Sequence, residues 1–419
     1  MKTLVQTVAL NGAATLVRLF TQIAITKILA VSVGPAGLVI VGQIQNLISL
    51  LGSGSTLGLF GGVVKLTADG SVPRERVWST ALGISGINAA IWLIVSIFFA
   101  QSAARFLFHD AGKAYIVILC AAANLFVVLQ ALIFHVLSGL RAFKLHVACS
   151  VLNSIVGLLM VGFAAAFGGS GSIFIVICFS QAIAVIGAVI AMRQLPALNP
   201  RNLIQGVSRD VIAKLAPFIA IGLTSAITLP MSQMLVRAHL INTFGVIETG
   251  YWEAAMKISL LYSSLIGTAF GLYLLPTFAR ATTDSQLRSE LRQALTVLSS
   301  VLVVAAALQY LLRDGIIASI FSTEFAVSAN LLALQLPGDI ARGLLMVLIL
   351  ANTSRAQSWL VIGLNVIFGA GFYMFALLLS TKATGLPIDT IAGASLAYTL
   401  AAGAALLAGV LVNARLIFS

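Results

Sequence analysis

Seven charged side chains fall inside long apolar runs: Arg18, Lys27, Arg237, Lys257 and Arg342 against Glu253 and Asp339. If those runs lie in lipid, each mid-bilayer charge costs about 2.5–3.5 kcal/mol unless it faces a cavity or a partner. Glu253 and Lys257 are four apart, and Asp339 and Arg342 three apart, so each pair shares a helix face and could neutralise itself. Lys27 could instead snorkel to the outer interface. Five cations against two carboxylates leave a positive surplus. A surplus of this sign attracts an anion, for which arginine forks are well shaped, phosphate above all. A cavity for cationic drugs would carry surplus carboxylate instead. Glu253 and Asp339 are the candidates for coupling to protons or sodium, with simple ion pairing as the alternative.

The elements that must position these groups are membrane helices. Of the 419 residues, 60% are hydrophobic and 9% charged, where a soluble domain carries about 25% charged. So few charges cannot cover a water-exposed surface, and lipid must cover most of this one. Hydropathy and breakers place twelve spans at about 4–30, 36–64, 77–102, 114–140, 145–168, 172–192, 211–240, 250–279, 293–313, 327–352, 357–380 and 391–414. Pro217 and Pro230 predict a kink in the seventh. The expected fold is all-α and polytopic, with twelve transmembrane helices in two pseudo-symmetric six-helix lobes around a central cavity.

The net charge of +12 sets topology here. With the N-terminus inside, cytoplasmic segments hold fifteen Lys and Arg and outer segments four, which predicts both termini in the cytoplasm. No basic patch is interleaved with aromatics, so nucleic acid is not an expected partner. No cleavable leader is expected, because the first apolar run is long, studded with polar groups and leads into a second helix.

The longest polar connection, 193–210, contains Pro196, Pro200 and three arginines. It reads as a cytoplasmic linker between an N-terminal six-helix lobe, 1–192, and a C-terminal one, 211–419. The halves read as repeats under a shift of 213 residues. Gly37 then falls on Gly250, Gly54 and Gly58 on Gly267 and Gly271, and Leu107-Phe108 on Ile320-Phe321. Arg237 maps one turn from Lys27, so the two could face each other across a central cleft. Parallel repeats of this kind place the substrate site between the halves.

Other polar groups carry less. Gly54, Gly58 and Gly62 form a small-residue ridge suited to close helix packing. Gln6, Asn11, Gln22, Gln43, Gln45 and Asn46 stud the first two spans, where they bond other helices or face a wet cavity suited to sugar hydroxyls. Cys120, Cys149 and Cys178 fit neither a metal site nor a disulfide framework. His109, His135, His146 and His239 show no ligand spacing, and His135 reads as a helix–helix hydrogen bond. There is no phosphate loop, no metal motif and no nucleophile–base constellation, so no cofactor and no catalytic residue is expected. Transport must use a gradient or run downhill.

Four stretches carry a family resemblance. Val31-Ser32-Val33-Gly34-Pro35-Ala36-Gly37-Leu38 joins the first two spans, and Leu274-Leu275-Pro276 ends the eighth. Leu311-Leu312-Arg313-Asp314 ends the ninth, and Gln335-Leu336-Pro337-Gly338-Asp339 opens the tenth. With these motifs the whole chain resembles the Wzx-type lipid-linked oligosaccharide flippases of the multidrug/oligosaccharidyl-lipid/polysaccharide exporter superfamily. It is nearest the branch that serves enterobacterial common antigen synthesis.

The resemblance implies a bacterial inner-membrane transporter, not an enzyme. It implies that an undecaprenyl-pyrophosphate glycolipid crosses from the cytoplasmic to the periplasmic leaflet by alternating access. It also implies that cavity cations matter, with Asp339 as the charged residue of the tenth span. Lys27, Arg237, Lys257 and Arg342 would hold the pyrophosphate, with Arg18 as a further candidate. Other glycan-assembly membrane proteins are the expected partners, and the chain is expected to be a monomer. The alternatives are a cation-coupled small-molecule exporter of the same superfamily and a membrane-embedded glycan-assembly enzyme.

Overall fold

The structure is a computed structural model. It describes all residues except 1, 184, 196–198, 282, 356, 381–390 and 419, and it leaves undescribed the side chains of a further set, among them 2–11, 265–273, 275–276 and 415. Gln6, Asn11, Pro196, Gly267, Gly271, Leu275 and Pro276 of the preceding readings lie outside the described residues or side chains.

The described elements are helical. In chain order they are α1 (Lys2–Thr56), α2 (Phe60–Asp69), α3 (Arg74–Phe108), α4 (Ala114–Gly139), α5 (Phe143–Phe167), α6 (Ser170–Ile183), α7 (Val185–Gln194), α8 (Pro200–Leu203), α9 (Arg209–Leu215), α10 (Pro217–Phe244), α11 (Val246–Arg280), α12 (Asp284–Ile320), α13 (Ser328–Ser354), α14 (Ser358–Leu379), α15 (Ala392–Val412) and α16 (Ala414–Phe418). Among the described residues ten helices are long and apolar enough to cross a membrane. One of the ten, Ala14–Thr56, is broken at Gly34, where φ is 61° and ψ −170°. Gly34 supplies a backbone conformation closed to other residues, and Pro35 starts the next helix without needing its missing N–H. With α11, whose 35 residues are of spanning length, the arrangement is consistent with twelve passes. Large apolar side chains such as Phe98, Phe163, Phe167 and Leu311 lie open on the outside, a surface that only lipid can cover. The chain is an all-α, multi-pass membrane protein.

The chain forms two compact units. One comprises 1–32 and 40–230, the other 33–39 and 231–419. In the first, Trp78, Val63, Leu132, Val136 and Leu215 centre a dry core, and Trp78 donates its indole N–H to Thr67 at 3.0 Å. The connection after α7 is tied into this unit: Ser79 donates to the Gly206 carbonyl at 2.7 Å, and the Gln205 and Ser208 amides donate to Ser79 and Thr80. In the second unit Leu291, Val347 and Leu348 centre a smaller core.

Two departures from the expected spans have local causes. The predicted run 36–64 breaks at 57–59, because Leu57 and Gly58 take φ of 49° and 70°. Gly58 lies backbone to backbone against Gly222: a Cβ on Gly58 would sit 2.6 Å from the Gly222 Cα. The small-residue ridge therefore does serve close packing, Gly54 against Trp92 and Gly62 against Leu215 and Phe218, but its middle glycine is a turn. The predicted run 211–240 is divided at Pro217, which opens α10 after α9 ends at Leu215, while Pro230 stays inside α10.

The junctions of the two halves match. Gly245, with φ 96° and ψ 170°, opens α11 much as Gly34 opens the second segment of α1. A single 3-10 turn follows α3 and another follows α12, each leading into the next helix. In the second unit Gly250 abuts the Pro35 backbone so closely that a Cβ would collide with the carbonyl carbon and oxygen. Gly250→Val should therefore cost about 1–3 kcal/mol, the range for overpacking a filled site. It should appear as a lower unfolding temperature of the purified protein, while Gly61→Ala, where a Cβ meets nothing within 4 Å, should not.

Candidate functional site

The second unit gathers most of the intramembrane charge. Arg237 comes from α10, whose neighbours Ser232 and Gln233 are also buried. Glu253 and Lys257 come from one face of α11, as their spacing requires. Arg237 directs two N–H groups at one oxygen of Glu253: Nε and Nη2 lie 2.9 and 2.7 Å from Oε2. Lys257 Nζ lies 3.6 Å from the other oxygen, Oε1. All three are buried, Arg237 to 1% exposure. Among the described residues two cationic side chains share this one carboxylate, a formal surplus of one positive charge. Trp252, next to Glu253, lies 6.0 Å beneath the guanidinium, in the geometry of a cation–π contact.

Asp339 sits on α13 and is also buried. The self-neutralising pair with Arg342 does not form. Ser259 of α11 donates to Asp339 Oδ2 at 2.9 Å, and Tyr398 of α15 donates to Oδ1 at 2.9 Å. Gly338 permits this. A Cβ there would meet Tyr398 Cδ1 at 2.8 Å and Thr399 Cα at 2.9 Å, so only glycine lets α15 come close enough for the phenol to reach the carboxylate. Thr399 donates to the Leu334 carbonyl at 2.7 Å, in the turn where Pro337 interrupts the helical ladder. The single O–H of Ser259 is shared with Gln335 Oε1, 3.0 Å from the same hydroxyl, and Gln335 donates through its amide nitrogen to Ser395 at 3.1 Å.

Arg342 turns elsewhere. Its guanidinium lies 4.0 Å over the Phe368 ring of α14, and its Nη1 is a buried donor without a hydrogen-bond partner among the described residues. Phe368, Phe372, Tyr398 and Trp252 pack ring against ring. One aromatic cluster therefore underlies both Arg237 and Arg342 and carries the phenol that holds Asp339. The arrangement suits holding an anion beside two hydrogen-bonded carboxylates. It offers no nucleophile set against a base, and among the described residues no group of three His, Cys, Asp or Glu could hold a metal ion.

The remaining cations lie in the first unit. Lys27 is half-buried on α1. Arg18, also on α1, is exposed, donates to Thr15 at 3.1 Å and lines a cavity. Of the expected site residues, Arg237, Glu253 and Lys257 are thus brought together, Asp339 and Arg342 join them through α11 and the aromatic cluster, and Arg18 and Lys27 stand in the other unit. Ser259, Tyr398 and Phe368 were not anticipated, and Gln335 was named only as part of the motif that opens the tenth span. Only Gln335, an amide in an apolar run, carried a signal. His135, expected to bond another helix, places Nδ1 2.6 Å from the Ala131 carbonyl of its own helix. Cys120 and Cys178 bring their sulfurs to 3.4 Å as free thiols.

No protein-family model matches the chain. It is 27% identical over 339 residues to the lipid III flippase of Escherichia coli strain K12, across 79% of this chain and 80% of that protein, and equally so to the lipid III flippase of Shigella flexneri. Among solved structures it matches an inward-facing multidrug resistance MATE family transporter of the MOP superfamily, with a TM-score of 0.75 at 14% identity over 95% of both chains. It also matches the lipid II flippase MurJ in an inward closed conformation, with a TM-score of 0.72 at 14% identity, over 97% of this chain and 87% of that one. The chain has the fold of the MOP-superfamily transporters and is similar in sequence to the two lipid III flippases.

Proposed function

We propose that this protein is a flippase that moves an undecaprenyl-pyrophosphate-linked oligosaccharide, lipid III or a similar repeat unit, from the cytoplasmic to the periplasmic leaflet. The observation that carries this is the positive surplus in the interior of the second unit: among the described residues Arg237 and Lys257 share one carboxylate, and Arg342 makes no ion pair. Lipid resists the pyrophosphate most, whereas the prenyl tail can stay among acyl chains. Buried cations whose field is only half neutralised lower that barrier. Similarity to lipid III flippases across four-fifths of both chains supports the same substrate class. In this reading Lys27, Arg237, Lys257, Arg342 and Arg18 draw the pyrophosphate. Glu253 and Asp339 carry the response to a proton or sodium gradient. The chain works as a monomer in the inner membrane, both termini cytoplasmic, its two six-helix lobes joined by 193–210, and receives its substrate from other glycan-assembly membrane proteins.

The test is reconstitution. Vesicles containing the purified protein and a polyprenyl-pyrophosphate glycolipid should expose the glycan to an external glycosidase faster than protein-free vesicles do. If exposure is no faster while the same vesicles export a cationic dye, the protein is an exporter and the flippase reading fails.

A further inference from the structure

The first unit holds an open cleft of about 310 Å³ between α1, α4, α5 and α6. This is the lower end of the range for small-molecule sites, about 300–1,000 Å³, and has room for a sugar unit. The lining is rich in neutral groups that both donate and accept. Gln22 and Gln45 of α1, Gln130 of α4 and Asn153 of α5 supply amides, and serines of α5 and α6 supply hydroxyls. The Ser154 and Ser180 hydroxyls donate to carbonyls of their own helices and keep oxygen lone pairs for a ligand. Asn153 Nδ2 is buried with no hydrogen-bond partner among the described residues. A native fold leaves such a donor unmet only for a reason, and a ligand acceptor is one. Among the described residues of the lining Arg18 is the only charged group, and none is a carboxylate.

We infer that this cavity is the subsite for a sugar ring of the head group, amides taking ring hydroxyls or an acetamido group and Arg18 an anionic oxygen. Donor–acceptor amides match a pyranose, whose every hydroxyl both donates and accepts. A cationic drug would find a like charge and no counter-ion. The anion at Arg18 is either a sugar carboxylate or the adjoining phosphate. The inference rests on the proposed flippase function and adds where the glycan is recognised.

Binding of undecaprenyl pyrophosphate and of its N-acetylhexosaminyl derivative to the protein in nanodiscs tests it. Wild type should bind the glycosylated probe about tenfold more tightly than the bare one. The double variant Gln130→Ala/Asn153→Ala should erase that preference and leave the bare probe unchanged. Gly157→Leu should do the same by filling the cavity: Gly157 lines it, and a Cβ there meets nothing within 4 Å, so folding is kept. Arg18→Gln weakens both probes if it holds phosphate, or only a uronic-acid derivative if it holds a carboxylate. If it alters neither, its assignment falls. A wild type without sugar preference, or variants that weaken both probes equally, overturns the subsite. A wild type that binds neither probe overturns the flippase reading itself.

Discussion

Glu253→Gln will destabilise the protein by about 3–5 kcal/mol, the cost of removing one partner from a buried ion pair. Glutamine is nearly isosteric, so no cavity forms and the loss is electrostatic. Glu253 is 2% exposed and faces Arg237 at 2.7 Å and Lys257 at 3.6 Å; without its charge two buried cations repel each other. The reciprocal change is milder. Arg237→Met leaves Glu253 with Lys257, so the carboxylate keeps a counter-charge. Replacing Arg237, Glu253 and Lys257 together by methionine should recover most of the stability, because apolar side chains of similar volume escape the desolvation penalty that ions pay. That triple variant should no longer flip substrate. Unfolding temperatures in detergent, read beside the vesicle assay, separate these outcomes. If Glu253→Gln melts with wild type, the triad is not the electrostatic knot its geometry describes.

The contrast between Glu253 and Asp339 shows what could be read in the sequence. Membrane residence followed from composition, because lipid is the only solvent that tolerates so few charges. The Glu253–Lys257 contact followed from helical spacing alone. Arg237–Glu253 did not, because sixteen residues and the Gly245 turn separate them, and only the packing of α10 on α11 decides it. Asp339 and Arg342 are spaced for a local pair, yet both carboxylate oxygens are taken by Ser259 and Tyr398 from other helices. That outcome depends on how near α15 comes to α13, which Gly338 sets by its missing side chain. A hydrophobic pattern says which face of a helix is buried, not how close the next helix will lie. The Gly58 turn is the same lesson: a small-residue spacing that reads as a smooth ridge is, in space, the point where two backbones touch.

Arg342→Met will leave stability unchanged or raise it by about 1 kcal/mol, while flipping falls about tenfold or more. The stability half follows from what the guanidinium lacks. Its Nη1 is buried without a hydrogen-bond partner among the described residues, and an unmet buried donor costs about 1–3 kcal/mol, more when charged. Methionine keeps the stem over Phe368, where a thioether also packs well, and removes the unmet donor. The transport half follows from asking why a protein would keep so costly a group. A half-buried arginine stacked on a ring, with one buried donor idle among the described residues, is poised for an acceptor that arrives during the cycle, and a phosphate oxygen is the acceptor that its fork fits. Arg342→Lys sharpens the test: the charge stays but the planar fork does not, so flipping should fall between the wild-type and methionine rates. Melting temperature and flipping rate falling together in the methionine variant would make Arg342 a structural residue; divergence in the predicted direction means that the fold gives up stability there to hold a substrate.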